Sequence, residues 1–243
     1  MAMPLARASR LGFALLVALA TAIGAGCGGS SPATTGAADT APGATQTLAT
    51  SPTDTLSGAT DTATVTATTS DALKLYTVES SGFAIGAPKG WKAVDSDTAA
   101  AQFEKTAGDN TTMKQVFEVM RQTGTKIRFV AGDPKPTGAF VTNMNVVVEP
   151  VGSAMTLDAY IDANVSAISS VLGADPEVEK VDLPAGQAAK FSYKTNRGRT
   201  LVYLQYALVH EGNGYVMTFT TIPATGSRYD DLFEQSAESF RLL

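Results

Sequence analysis

Residues 200–222 read TLVYLQYALVHEGNGYVMTFTTI, and this stretch decides the fold. Two runs rich in β-branched and aromatic residues flank EGNG at 211–214, a hairpin signal. Between 201 and 209 the chain is apolar on both parities except at Gln205. A strand apolar on both faces belongs in the middle of a sheet, with cover above and below.

Working outward, residues 178–183 and 188–194 read as two further strands joined by Pro-Ala-Gly at 184–186, with Phe191 and Tyr193 on one face. Upstream, Thr156 is a good N-cap for a helix through Leu172. Leu157, Ile161, Val165, Ile168 and Leu172 form its apolar stripe, and Gly173 is placed to stop it. Residues 127–131 and 140–149 predict two strands joined by the Gly- and Pro-bearing loop 132–138. Residues 96–105 and 112–121 predict helices, the second burying Met113, Val116, Phe117 and Met120. Residues 83–85 predict a short strand that stops at Pro-Lys-Gly, 88–90, with Trp91 after it. Downstream of the hairpin, Ser227 caps a predicted helix over 228–241 that buries Tyr229, Leu232, Phe233 and Phe240. Hairpins dominate the connections, so the expected class is α+β, a mainly antiparallel sheet with helices packed on it. The expected domain spans 73–243, long enough for one sizeable core.

Before it the chain changes character. Residues 28–70 are almost all Thr, Ala, Ser, Gly and Pro, with no Lys, Arg or aromatic residue. Such a composition buries too little apolar surface to offset the entropy of ordering, so 27–72 reads as a disordered linker. As a flexible coil its ends would lie about 35 Å apart. Residues 1–26 hold Arg7 and Arg10, then an apolar run over 11–23, then Gly-Ala-Gly before Cys27. Positive residues, a short apolar stretch and small residues before a cleavage point make a secretory signal. The run is too short for a spanning helix, which needs about 20 residues. Small residues ahead of a Cys resemble a bacterial lipobox, although Gly24 stands where Leu is usual. The expectation is that Cys27 becomes the acylated N-terminus of the mature chain and holds it to the membrane through palmitate-type chains. Gly24, Gly26 and Gly29 also spell G-x-G-x-x-G, but no strand precedes them and the cleavage point lies among them, so the match carries no nucleotide site.

The counts restrict the chemistry. The chain has one Cys, one His and one Trp in 243 residues. That excludes an intrachain disulfide and a metal site built from several Cys and His ligands. Outside residues 1–26 there are 16 Lys+Arg against 23 Asp+Glu, a net −7. An acidic body argues against a nucleic-acid partner. His210 stands beside the hairpin turn with no Gly-x-Ser-x-Gly elbow to supply a nucleophile. Asp95-Ser96-Asp97 begins like a calcium loop, yet Ala99 and Ala100 occupy positions that need oxygen ligands and Gly, so the run reads as a helix start. Lys190, Lys194, Arg197 and Arg199 form a basic cluster, read as a solvated strand end or as a surface for an acidic partner or lipid headgroups. Phe191, Tyr193, Tyr203, Tyr206, Tyr215 and Phe219 are read as core, or as the lining of an apolar pocket if helix packing leaves a gap.

Four features recur in an order that resembles PsbP-like and Mog-type domains. They are Gly-Phe-x-Ile-x-x-Pro-x-Gly-Trp at 82–91, the 157–172 helix, the late hairpin, and a terminal helix ending Ser-Phe-Arg-Leu-Leu at 239–243. With the lipobox and the Thr-rich stalk, the whole resembles actinobacterial lipoproteins of the LpqN/LpqT type. The resemblance implies a PsbP-like α/β sandwich with a structural Trp91, and offers no catalytic motif or cofactor. The expected function is a non-catalytic, extracytoplasmic, membrane-anchored binding module for a protein or cell-envelope component. The rivals are a lipid or glycolipid carrier, and an enzyme whose site assembles from scattered carboxylates.

Overall fold

The computed structural model describes residues 65–69, 71–94, 118, 120, 122–138, 140–196 and 198–243. Among them the chain runs β1 (Val65–Thr69), β2 (Leu73–Val78), β3 (Phe83–Pro88), β4 (Lys92–Val94), β5 (Lys126–Gly132) and β6 (Asn143–Pro150). Then come α1 (Leu157–Ala167), a π-helical turn (Ile168–Leu172), β7 (Glu177–Leu183), β8 (Gly186–Asn196), β9 (Thr200–His210), β10 (Asn213–Thr221), α2 (Gly226–Glu238) and β11 (Arg241–Leu242). The leader, Cys27, Asp95–Asp97 and almost all of the helices expected over 96–105 and 112–121 lie outside the described residues. Of the second helix, Glu118 and Met120 are helical and Met120 is buried.

A seven-stranded sheet, ordered β4-β5-β6-β10-β9-β8-β7, and a four-stranded sheet, ordered β1-β2-β3-β11, make the α+β architecture. Every strand pair is antiparallel. β9 lies mid-sheet between β10 and β8, as its two apolar parities require. The hairpin is tighter than EGNG suggests, because His210 pairs directly with Asn213 and only Glu211 and Gly212 turn. Both have positive φ, 46° and 76°, the conformation of a two-residue hairpin that matches strand twist.

Gly214 is therefore a strand residue. A Cβ there would lie 2.3 Å from Tyr160 Oη, so the absence of a side chain admits the Tyr160 ring against the sheet.

The two faces of the large sheet are covered differently. One meets the small sheet and α2, in a core that includes Phe83, Ile85, Trp91, Phe129, Tyr206, Tyr215, Met217, Phe219, Phe233 and Phe240. Its rings touch throughout, with Phe219 on Phe233 at 4.9 Å, Tyr76 on Phe129 at 5.1 Å and Phe83 on Phe240 at 5.4 Å between centroids. Trp91 packs edge-on against Tyr229 and Phe233 of α2. Burying one such ring is worth about 1.5–3 kcal/mol. The opposite face meets α1 and its π turn, through Tyr160, Ile168 and Leu172 against Val147, Phe191, Tyr193, Tyr203 and Val216.

Several details depart from the sequence reading. β1 lies inside the segment that composition assigned to the linker, where Val65–Thr69 is a strand paired with β2. Val65 pairs with Val78 and Thr69 with Lys74. Pairing at a sheet edge draws on backbone hydrogen bonds and β-branched propensity, which a burial argument overlooks. α1 starts where expected, with Thr156 Oγ1 accepting from the Ala159 amide at 3.2 Å. Its fully buried line is Tyr160, Asn164, Ile168 and Leu172, while Leu157, Ile161 and Val165 are only half-buried. Finally, α2 ends at Glu238 and not at Arg241, and begins at Gly226 with Ser227 inside its first turn. Ser239 terminates it, donating to the Ser236 carbonyl and accepting from the Gly86 amide, both at 2.6 Å. Residues 241–242 then peel off to pair with Ala84 and Phe83.

Candidate functional site

On the α1 face a chain of polar groups runs through the interior. Tyr160 donates its hydroxyl to Glu149 Oε1 at 2.5 Å, and Asn164 donates to the Tyr160 carbonyl at 2.8 Å. Gln205 Nε2 reaches Asn164 Oδ1 at 3.4 Å, and the Tyr193 hydroxyl donates to Gln205 Oε1 at 3.0 Å. Strand register produces the alignment, since Gln205 faces Thr218 and Thr218 faces Asn145 across three strands. Glu149 is 1% exposed. Burial pushes its carboxyl from 4.5 up to about 7, and the Tyr160 and Thr125 hydroxyls pull it down by less. Burial, then the neighbouring Glu149 charge, raises the Tyr160 hydroxyl well above its usual value. A carboxyl tuned near neutrality is a candidate general acid or base. Here it is enclosed, with Tyr160 on one oxygen and the second, Oε2, buried without a partner of ordinary geometry. The arrangement ties α1 to the sheet and presents no reactive atom to a substrate.

The open feature of this end of the molecule is a cleft of about 670 Å³ on the α2 side, at the β7, β8 and β9 end of the sheet. Val202 and Leu204 contribute apolar surface. Lys190 and Lys194 of β8 face four carboxylates, Asp175, Glu177, Asp230 and Glu234. Lys190 Nζ bonds Glu234 Oε1 at 2.7 Å and so links β8 to α2. Asp230 and Glu234 of α2 thereby join the rim.

The basic cluster is thus divided. Lys190 and Lys194 line the cleft, Arg199 lies over the Phe140 ring at 5.8 Å, and Arg197 is outside the described residues. With two lysines against four carboxylates, the cleft is acidic rather than basic. His210 is half-exposed at the hairpin end, its Nε2 3.8 Å from Glu211 Oε1, with no nucleophile beside it. The aromatic group also divides by parity: Phe191, Tyr193 and Tyr203 face α1, whereas Tyr206, Tyr215 and Phe219 belong to the α2-side core. On the α2 side Tyr206 meets Phe219, Tyr215 meets Phe240 and Phe219 stacks on Phe233, so these rings are core residues. Among the described residues no group of three or more His, Cys, Asp or Glu could hold a metal ion. Nor is any described helix long and apolar enough to cross a membrane.

The internal chain has a sequence signal on β6. On β6 the parity Asn143, Asn145, Val147 and Glu149 is largely polar, while Met144, Val146 and Val148 are apolar. Such alternation ordinarily marks a solvated face, and only the cover over that face makes it an interior one.

No family model matches the chain, and no curated protein matches it. Solved structures similar to it include cyanobacterial PsbP (CyanoP) from Synechocystis, at 17% identity and a TM-score of 0.48, covering 72% of this chain and 95% of that one. A Pseudomonas aeruginosa protein of unknown function is similar at 14% identity and a TM-score of 0.44, over 69% of this chain and 95% of that one. LpqN of Mycobacterium tuberculosis, described as involved in cell envelope biogenesis, is similar at 7% identity and a TM-score of 0.44, over 66% and 82%. These are likenesses of fold and assign no activity.

Proposed function

We propose that this chain is a lipid-anchored, non-catalytic binding module on the outer side of a bacterial cell membrane, and that the α2-side cleft is its recognition surface for a protein or envelope component. The observation that carries the reading is the cleft itself. It combines apolar floor residues, a rim of both charge signs and a rigid backing of three paired strands. Recognition surfaces need apolar area to supply affinity and charges to fix orientation. The leader and Cys27 supply the address, and the Thr-rich linker supplies reach.

Two measurements in the native cell test this. Cys27→Ala is expected to move the protein out of the membrane fraction, while the unaltered mature chain should weigh as one that starts at an acylated Cys27. A photocrosslinking residue at Leu204 should then give one adduct of discrete mass on intact cells, with none from Asp162 on the exposed side of α1. Turnover of an ester or cell-wall substrate by the purified chain would overturn the non-catalytic reading. A stoichiometric small-molecule mass released from the extracted protein on denaturation would replace it with a carrier.

A further inference from the structure

A second, smaller cleft of about 220 Å³ lies across the α2-side core from the first, where the turn after β3 meets the start of α2 and the loop after β5. Its floor is aromatic, made by Trp91 and Tyr229, both buried. Three cations rim it: Lys89 from the turn, Lys135 from the loop and Arg228 from the first turn of α2. All three are exposed, and none is in an ion pair among the described residues. Arg228 lies over the Tyr229 ring with its guanidinium carbon 5.2 Å from the centroid, which leaves the planar fork at the rim.

The one carboxylate at the cleft, Asp133, is already committed. Its Oδ2 accepts from the Tyr229 hydroxyl at 2.5 Å and its Oδ1 from the Lys135 amide at 2.8 Å. These two bonds fold the loop back so that Lys135 stands beside the other cations. The lining therefore carries three positive charges against one engaged negative one, on a chain whose net charge is −5. A local positive concavity on an acidic protein focuses the field toward anions.

We propose that this cleft is a binding site for a phosphate group, held by Lys89, Lys135 and Arg228 above the Trp91 and Tyr229 rings. A phosphate presents several acceptor oxygens to which a guanidinium fork and two ammonium groups are matched. Its source is either free phosphate or the headgroup of a phospholipid. Only the headgroup source draws on the lipid anchor proposed above; the free anion does not.

The chain's single tryptophan sits in the site and reports on it directly. Full-length protein in a neutral detergent, titrated with inorganic phosphate at constant ionic strength, should show a saturable change in Trp91 emission. In the double variant Lys89→Gln/Arg228→Gln the midpoint should move about tenfold higher. Lys126→Gln, outside the cleft, should leave it in place. The same protein reconstituted in phosphatidylcholine vesicles, with and without phosphatidylglycerol, separates the sources. A Trp91 change that needs phosphatidylglycerol and is lost in the double variant assigns the headgroup; a change with inorganic phosphate alone assigns the free anion. Emission that responds to neither, or responds equally in the double variant, overturns the site. Because both substituted side chains are exposed, a fold check by circular dichroism should show the variants folded.

Discussion

On the α2 face of the seven-stranded sheet Phe219 stacks on Phe233, Tyr215 meets Phe240, and Trp91 closes the layer against α2. On the α1 face, the neighbouring register positions of the same strands carry Asn145, Thr218 and Gln205, and a carboxyl is buried at the end of the line. Both faces exclude water, but they are held by different physics. Ring packing is non-directional and independent of pH. A buried polar chain is directional, and costs stability wherever a member lacks a partner or must carry charge. One sheet thus has a face that sets stability and a face that sets the orientation of a helix.

The sharpest way to break this comparison begins on the ring face. Phe219→Ala should cost about 3–5 kcal/mol, by lost transfer energy and the cavity left among Phe233 and Tyr206. Urea unfolding at pH 5 and pH 8 should give the same loss at both; a loss confined to one pH would mean the two faces are coupled.

Next in size is Glu149. The unfolded carboxyl releases its proton near 4.5 and the folded one near 7, so the folded state holds more protons in between. Stability must then fall as pH rises from about 4.5 to about 7, and level off above. The difference amounts to about 3 kcal/mol. Glu149→Gln keeps an acceptor for Tyr160 and removes the charge, so it should flatten that slope and be the more stable protein at pH 8. Parallel stability curves for the two proteins would remove the directional face from the account.

The smallest effect belongs to Tyr193→Phe, which strips one donor from Gln205 and leaves the Tyr193–Tyr203 stacking at 4.8 Å intact. About 1 kcal/mol is expected by thermal unfolding. A neutral result would show that Gln205 finds another donor.

The contrast also explains what the sequence disclosed. The β9–β10 hairpin was legible because two β-branched and aromatic runs flank a turn signal, and apolar residues on both parities mark a strand covered on both faces. Thr156 and Gly173 marked the ends of the α1 region because caps are local chemistry. The end of α2 was hidden, since the residue that stops it answers to a backbone amide 153 residues away. β1 was hidden for the opposite reason: its sequence looks like linker, and only a partner strand makes it structure. The clefts could not be read at all. Lys89, Lys135 and Arg228 come from three separate segments, and nothing in their spacing announces that they meet.

The clasp between Ser239 and Gly86, with β11 laid along β3 just beyond it, also fixes the order of events when the chain is made. Residues 239–243 close the layer that covers the ring face, and their partners in 82–86 are synthesised long before them. Until the later segment arrives, the earlier hairpin has an open edge and Phe83 has no Phe240 to stack on. Folding dominated by such distant contacts is slow. A polypeptide threaded through a narrow export channel must stay pliable until most of its length has passed. A fold that closes only when residues 239–243 reach the β2–β3 hairpin would suit a chain exported as proposed above.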